Sequence, residues 1–412
     1  MEYEEIVTYF ASQKEKVNRY DRSSWDDFVK RMGLRLSFPF IHITGSNDKE
    51  NVSHYLSHIY QAAEYKVGLF THLAYATPLE EIQISGEPIP EEEYVRIFNQ
   101  YQKDFERASL SVFEIETFIA YTYFNEQKVS LALVEAGLGG DLDATVILGA
   151  TPVLSIITNV SLEHTAVLGT TLSEIAAHKV GIVKEKSMVL LGKVEETVSD
   201  IVRIDAQRKG SLFFTVDDYH FEKYRDPFYE FNYRPYEKLE ILSSAHYLLE
   251  SAALALEAVK LLRLHFPLSE SAIRHGLIGK PLPCRMERFH NVLIDESHNV
   301  AGIDRLMDSV TSYANGTPVH VLFGSMRDKN ISVELPRLGK DAAEIVLTTF
   351  DHPYAKDEMS YFLYEADYAF REDWKMALNG LLQVNQKDLI LITGSSHFAK
   401  LARDYVKKVL QL

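Results

Sequence analysis

Two short runs in the first half of the chain, residues 129–135 (VSLALVE) and 153–159 (VLSIITN), are almost wholly apolar and rich in β-formers. Strands of that kind are parallel strands covered on both faces, because a strand with one wet face alternates polar and apolar residues. Parallel neighbours need long crossovers, usually helical. The runs therefore commit the chain to an α/β architecture.

The flanking sequence agrees. Residues 38–44 (FPFIHIT) and 67–70 read as strands, and 51–63, 91–102, 112–126 and 171–183 as helices. A long Ala- and Leu-rich helix is expected over 243–264, and 217–236, dense in Tyr and Phe, as an irregular or antiparallel β insertion. Pro281–Pro283 breaks the pattern. Alternation then restarts: strands at 292–295, 319–324, 345–349 and 389–393, helices at 302–313, 374–382 and 398–410. A larger domain, 1–283, and a smaller one, 284–412, follow from that break, each with its own parallel sheet.

Charge and composition narrow the partners. Lys+Arg 43 against Asp+Glu 59 leaves −16, and no basic patch offsets it, so no nucleic-acid or anionic-membrane partner is expected. Cys284 is the single cysteine, which excludes an internal disulfide and a multi-cysteine metal site and fits a reducing compartment. The acidic start, Met1-Glu-Tyr-Glu-Glu, is unlike a secretory signal. The longest apolar stretch, 146–160, is interrupted and shorter than the ~20 residues a span requires. A cytoplasmic protein is expected.

In a parallel sheet, ligands sit beyond the carboxyl ends of the strands, and polar residues gather at several such ends. Gly45-Ser-Asn-Asp-Lys-Glu-Asn51 joins a strand to a helix, the layout of a phosphate cradle with Gly45 and Lys49 in place. The same loop also reads as an ordinary helix start, with Asn47 or Asp48 as N-cap. Glu135 closes a strand before Ala-Gly-Leu-Gly-Gly140 and offers a carboxylate to a hard cation, or simply ends a tight turn. Glu163-His164 and Lys179 follow the next strand. In the smaller domain, Asp295 and His298, Gly324 with Asp328-Lys329, and Thr393-Gly-Ser395 each lie past a strand, and Arg285 sits at the domain junction.

Taken in order, these motifs, with Leu142-Asp-Ala-Thr145 and Ile175-Ala-Ala-His-Lys-Val-Gly-Ile-Val-Lys184, resemble the folylpolyglutamate synthase/dihydrofolate synthase family of Mur-type amide ligases, over about residues 35–400. The resemblance implies a large Mur-ligase-type ATPase domain with a parallel central sheet, a smaller Rossmann-like C-terminal domain, and an active site in the cleft. It implies that ATP activates a folate carboxylate as an acyl phosphate and that the amine of glutamate attacks it. It also implies residue roles. Gly45, Ser46, Asn47 and Lys49 would hold phosphate, and Arg285 and Asp295 the nucleotide. Glu135, His164 and Asn51 would ligate Mg²⁺. Lys179 would be the carbamylated lysine, and His298 would lie near nucleotide and glutamate. Small-molecule substrates and a monomer are expected.

The chain departs from the family pattern at defined places. Asp48, Glu50 and Asn51 stand at the last Gly, Gly and Ser/Thr positions of the phosphate loop. Thr71-His-Leu-Ala-Tyr75 replaces a Thr-Ser-Pro-His-Leu loop, and Asp141 an arginine. His246-Tyr-Leu-Leu-Glu250 replaces a His-Gln-x-x-Asn pattern, and Glu296 a glycine. Two further readings follow: an inactive paralogue that binds or regulates, or a Mur-type ligase for another acid.

Overall fold

The computed structural model describes residues 1–13, 22–329, 331–364, 367–384 and 387–410. Contacts divide the chain into two compact units. One comprises 1–220, 233–239 and 250–279; the other comprises 221–232, 240–249 and 280–412. The sequence reading places 221–249 wholly in the first domain, whereas much of it packs with the second unit.

The first unit carries an eight-stranded sheet. In chain order its strands are β1 (Phe40–Thr44), β2 (Val67–Phe70), β3 (Ile82–Ile84), β4 (Glu87–Pro88), β5 (Leu131–Glu135), β6 (Leu154–Ile157), β7 (Met188–Leu191) and β8 (Leu212–Thr215). Their spatial order is β4-β3-β2-β5-β1-β6-β7-β8. From β2 to β8 every pair is parallel, and β3 and β4 extend that edge antiparallel. Every residue of β1, β2, β5 and β6 is buried, as continuous apolar runs require. Beneath one face lies an aromatic core in which Trp25, Phe28, Phe98, Phe105 and Phe118 pack together.

Register sets what stands at the working edge. Ile43 pairs with Glu135, Thr44 with Ile157, and Phe70 with Val134. The loops after β1, β2, β5 and β6 therefore emerge side by side. The helix after β1 spans Lys49–Ala62, two residues earlier than its apolar stripe suggests, so Lys49, Glu50 and Asn51 form its first turn.

A three-stranded sheet follows in the order β11-β10-β9: β9 (His220–Arg225), β10 (Phe228–Tyr233) and β11 (Tyr236–Leu242). The long helix runs Leu248–Leu262, shorter at its start than expected, because Ser243 Oγ accepts the Ala245 N–H and holds a turn there. The second unit holds a six-stranded sheet. Its strands are β12 (Glu287–Phe289), β13 (Val292–Ile294), β14 (Val319–Phe323), β15 (Glu344–Thr349), β16 (Ala369–Asp373) and β17 (Leu389–Thr393). The order is β12-β13-β17-β14-β15-β16, parallel throughout except for β12. No helix among the described residues is long and apolar enough to cross a membrane.

Candidate active site

In the first unit the loop after β1 is bound tightly to the segment after β6. The Ser46 N–H donates to the Asn159 carbonyl and the Asn47 N–H to Asn159 Oδ1. Thr158 Oγ1 donates to the Asn47 carbonyl at 2.6 Å. Gly45 is needed for that approach: a Cβ there would stand 1.7 Å from Thr158 Oγ1. Asp48 caps the helix with φ +68°, a left-handed conformation that Asp tolerates better than most residues. Its carboxylate accepts from Asn51 Nδ2 at 2.9 Å and Asn159 Nδ2 at 3.0 Å. Lys49 Nζ is paired with Glu50 Oε1 at 2.7 Å, the two side chains 14% and 12% exposed. Burial works against the Lys49 charge, but Glu50, Glu163 and Glu135 outweigh it and hold the ammonium above its usual range.

Glu135, at the end of β5, is fully buried. Ser53 Oγ donates to its Oε1; Thr71 Oγ1 at 2.8 Å and the His72 N–H at 3.3 Å donate to its Oε2. Thr71 reaches it because Phe70 pairs with Val134, which sets the next residue of each strand abreast. Burial first, and Glu50 second, push the Glu135 carboxyl up to about 7, against Ser53, Lys49 and Thr71. The glycine loop after β5 is organised by Asp143. Its Oδ2 accepts the N–H groups of Gly137 and Leu138 at 2.7 Å each, and its Oδ1 accepts from Thr145. Because the Thr145 hydroxyl donates to Asp143, buried His42 must donate Nε2–H to Thr145. Burial lowers that imidazole to about 3, so it is neutral. Gly140 lies against the end of helix Leu172–Lys179, where a Cβ would come within 2.7 Å of the His178 carbonyl.

That helix delivers Lys179, 1% exposed, whose Nζ donates to Glu163 Oε1 at 2.6 Å. Burial depresses the Lys179 ammonium, opposed by Glu163. Burial alone would raise the Glu163 carboxyl, but Lys179 and Lys49 hold it below its usual value. His164 is exposed and begins the short helix Thr165–Leu168. Lys49, Glu135 and Lys179 are thus placed in one charged cluster with Glu50 and Glu163. Among the described residues, no three His, Cys, Asp or Glu side chains are grouped to hold a metal ion.

The second unit has its own strand-end cluster. Ile294 pairs with Ile392 and Phe323 with Thr393, so Asp295, Gly324 and Thr393 end their strands together. Asp295, 1% exposed, accepts from the Tyr247 hydroxyl at 2.7 Å and from the Met286 and Ser297 N–H groups. Arg285 Nη1 lies 2.5 Å from Glu296 Oε1, with side chains 8% and 11% exposed. Glu296 Oε2 is buried without a hydrogen-bond partner among the described residues. His298 is half-buried and donates Nδ1–H to the Glu296 carbonyl at 2.9 Å.

Several of these residues escape a sequence reading. Ser53 carries no motif, and its role depends on helix phase relative to Glu135. Asp143 and Glu163 lie inside quoted motifs, but nothing in the spacing says that one ties the glycine loop and the other meets Lys179.

The chain carries strand-end clusters on a large, mostly parallel sheet and on a smaller one, and residues 284–396 match the family model "Mur ligase, glutamate ligase domain". Folylpolyglutamate synthase (FPGS) of Lacticaseibacillus casei is 29% identical over 98% of this chain and 98% of its own. The dihydrofolate synthase/folylpolyglutamate synthase of Bacillus subtilis (strain 168) is 28% identical over 92% and 94%. A solved FPGS–AMPPCP–folate complex superposes with a TM-score of 0.86 at 26% identity, covering 98% of this chain and 100% of that one. Over nearly its whole length the chain is thus similar to folylpolyglutamate synthases and dihydrofolate synthase/folylpolyglutamate synthases.

Proposed function

We propose that this chain is an ATP-dependent ligase of the folylpolyglutamate synthase type, joining the amine of glutamate to a folate carboxylate by way of an acyl phosphate. Its whole-length likeness to a protein solved with AMPPCP and folate carries the reading. The retained Lys49, Glu135, His164 and Lys179 support it in the ATPase portion, and Arg285, Asp295 and His298 in the portion from residue 284 onward. Mg²⁺ is the metal proposed, and the setting is a cytoplasmic monomer acting on small molecules.

The phosphate loop as arranged does not fit triphosphate and Mg²⁺. The Ser46 and Asn47 N–H groups are engaged by Asn159, Asp48 sets a carboxylate in the cradle, and Glu50 covers Lys49. Asn51 turns its amide to Asp48, and the Glu135 oxygens already accept three protein donors. What the chain's own groups do is hold charge: Lys49 and Lys179 form a buried positive pair balanced by Glu50, Glu135 and Glu163. Carbamylation of Lys179 needs its neutral amine; burial favours that form, and Glu163 opposes it.

The charge pairing in the loop favours a second reading, an impaired paralogue that binds or regulates; a Mur-type ligase for another acid is the third. Purified protein with ATP, Mg²⁺, glutamate and a reduced folate should release phosphate only when all four are present. Absence of folate-dependent turnover removes the first reading, and turnover with a different acid selects the third.

A further inference from the structure

We propose that a hollow in the second unit, walled by aromatic rings on one side and by Asp308, Ser312 and Asn315 on the other, binds a flat aminoheterocycle. The ligand class is an aromatic ring with an exocyclic amine beside a ring N–H, the 2-amino-4-oxopyrimidine edge that pterins and guanine share. The inference is independent of the ligase reading.

Every described residue that lines the hollow belongs to the second unit, and the volume is about 600 Å³, the size of a small-molecule site. One wall is the β9–β10 hairpin. Tyr229 of β10, 2% exposed, anchors it, with the rings of Tyr224, Phe221 and His246 at 4.6, 5.8 and 5.8 Å, centre to centre. Tyr313 stands edge-on to Tyr224 at 6.2 Å. Phe221 lines the hollow yet is 45% exposed, an apolar ring that the fold itself does not cover.

The other wall is the end of helix Val300–Ala314. Asp308, Ser312 and Asn315 follow the i, i+4, i+7 spacing of one helix face. Among the described residues none of these three side chains has a hydrogen-bond or ion-pair partner. The Arg288 guanidinium, 5.8 Å over the Tyr313 ring, is held by Asp226 at 2.6 Å. The Asp308 carboxylate is thus left open to a ligand. At about 1.5 Å per residue, Ser312 lies about 20 Å along the axis from Asn299, where the helix begins beyond β13, so the hollow is distinct from the Asp295 cluster.

The two walls ask for different parts of one molecule. A flat ring laid on the tyrosines gains stacking and buries its faces. Its edge then meets the helix. A carboxylate accepts two parallel N–H bonds, so Asp308 matches an amine beside a ring N–H, and Ser312 and Asn315 supply donors for the neighbouring carbonyl. Adenine sets its amine beside a ring acceptor and offers the carboxylate one donor direction only. A phosphate would be repelled by Asp308, which favours a base or nucleoside over a nucleotide.

The test is calorimetric titration of the full chain with 6-methylpterin, guanosine and adenosine. The first two should bind saturably, the tighter naming the source of the ring, and adenosine about tenfold more weakly than that one. Asp308→Asn keeps size and removes the charge, and should weaken the tighter ligand about fivefold to tenfold. Phe221→Ala should weaken it about threefold to tenfold. Saturating Mg-ATP should leave its affinity unchanged. Both substituted positions are exposed, and circular dichroism checks that each variant is folded. Should Phe221→Ala not fold, Asp308→Asn decides alone. The proposal is overturned by no saturable binding of either ligand up to about 1 mM, by adenosine bound as tightly, by displacement with Mg-ATP, or by unchanged affinity in the folded variants.

Discussion

Replacing Lys179 by Met tests the charge arrangement most sharply. The Nζ to Glu163 Oε1 distance is 2.6 Å, with side chains 2% and 16% exposed. At an effective dielectric near 20 the gross attraction is about 6 kcal/mol, much of it offset by the cost of burying the ammonium. Lys179→Met removes the partner and leaves Glu163 desolvated, a change that costs about 3–5 kcal/mol when the survivor is fully buried. Glu163 is partly wet and still feels Lys49, so the lower end, about 3 kcal/mol, is expected. At ~2–4 °C per kcal/mol, the midpoint of the first unit's thermal transition should fall by ~6–12 °C. Adding Glu163→Gln removes the orphaned charge and should restore at least half of that loss. A double-mutant cycle followed by thermal and urea unfolding reads the coupling. A cost below about 1 kcal/mol for the single variant, or strictly additive losses in the double, would refute the reasoning.

Three further outcomes follow from particular contacts. Gly45→Ala should destabilise by about 1–3 kcal/mol, because its Cβ meets Thr158 Oγ1 at 1.7 Å; Thr158→Ala should rescue part of the loss in urea titrations. Asp143→Asn should cost about 1–3 kcal/mol and speed hydrogen exchange at the Gly137 and Leu138 amides, whose shared acceptor oxygen it alters. Burial raises the Glu334 carboxyl to about 7, with Lys329 and Lys356 opposing. The folded chain then keeps a proton that the unfolded chain has lost, so this group's contribution to stability falls as pH rises from about 4.5 to 7. Glu334→Gln should therefore gain stability over native at pH 8 relative to pH 5, and a pH-independent difference would contradict that.

The sequence carries the fold's frame where burial leaves a compositional mark. The apolar runs that became β1, β5 and β6 are legible because strands covered on both faces cannot alternate. Helices Tyr3–Gln13 and Ser23–Met32 lie outside the elements expected from sequence, although Trp25 and Phe28 are core residues. Strands β3, β4, β7, β8 and β16, only two to five residues each, leave no such mark in the sequence. Short segments hold too few residues to establish a period.

At the site, the order of the motifs names the neighbourhoods but not the contacts. That Glu50 turns to Lys49, Glu296 to Arg285 and Tyr247 to Asp295 depends on side-chain direction. That Thr71 and Ser53 saturate Glu135 depends on strand register and helix phase. Neither is written in the spacing of residues along one chain.

Mass spectrometry of the folate pool gives the most direct measurement. Native protein should be incubated with ATP, Mg²⁺, glutamate and a reduced folate, alongside a reaction lacking ATP. The family reading predicts a folate bearing one additional glutamyl residue in the complete reaction alone. Unaltered folate after prolonged incubation at saturating ATP, with protein shown to be folded, would contradict it.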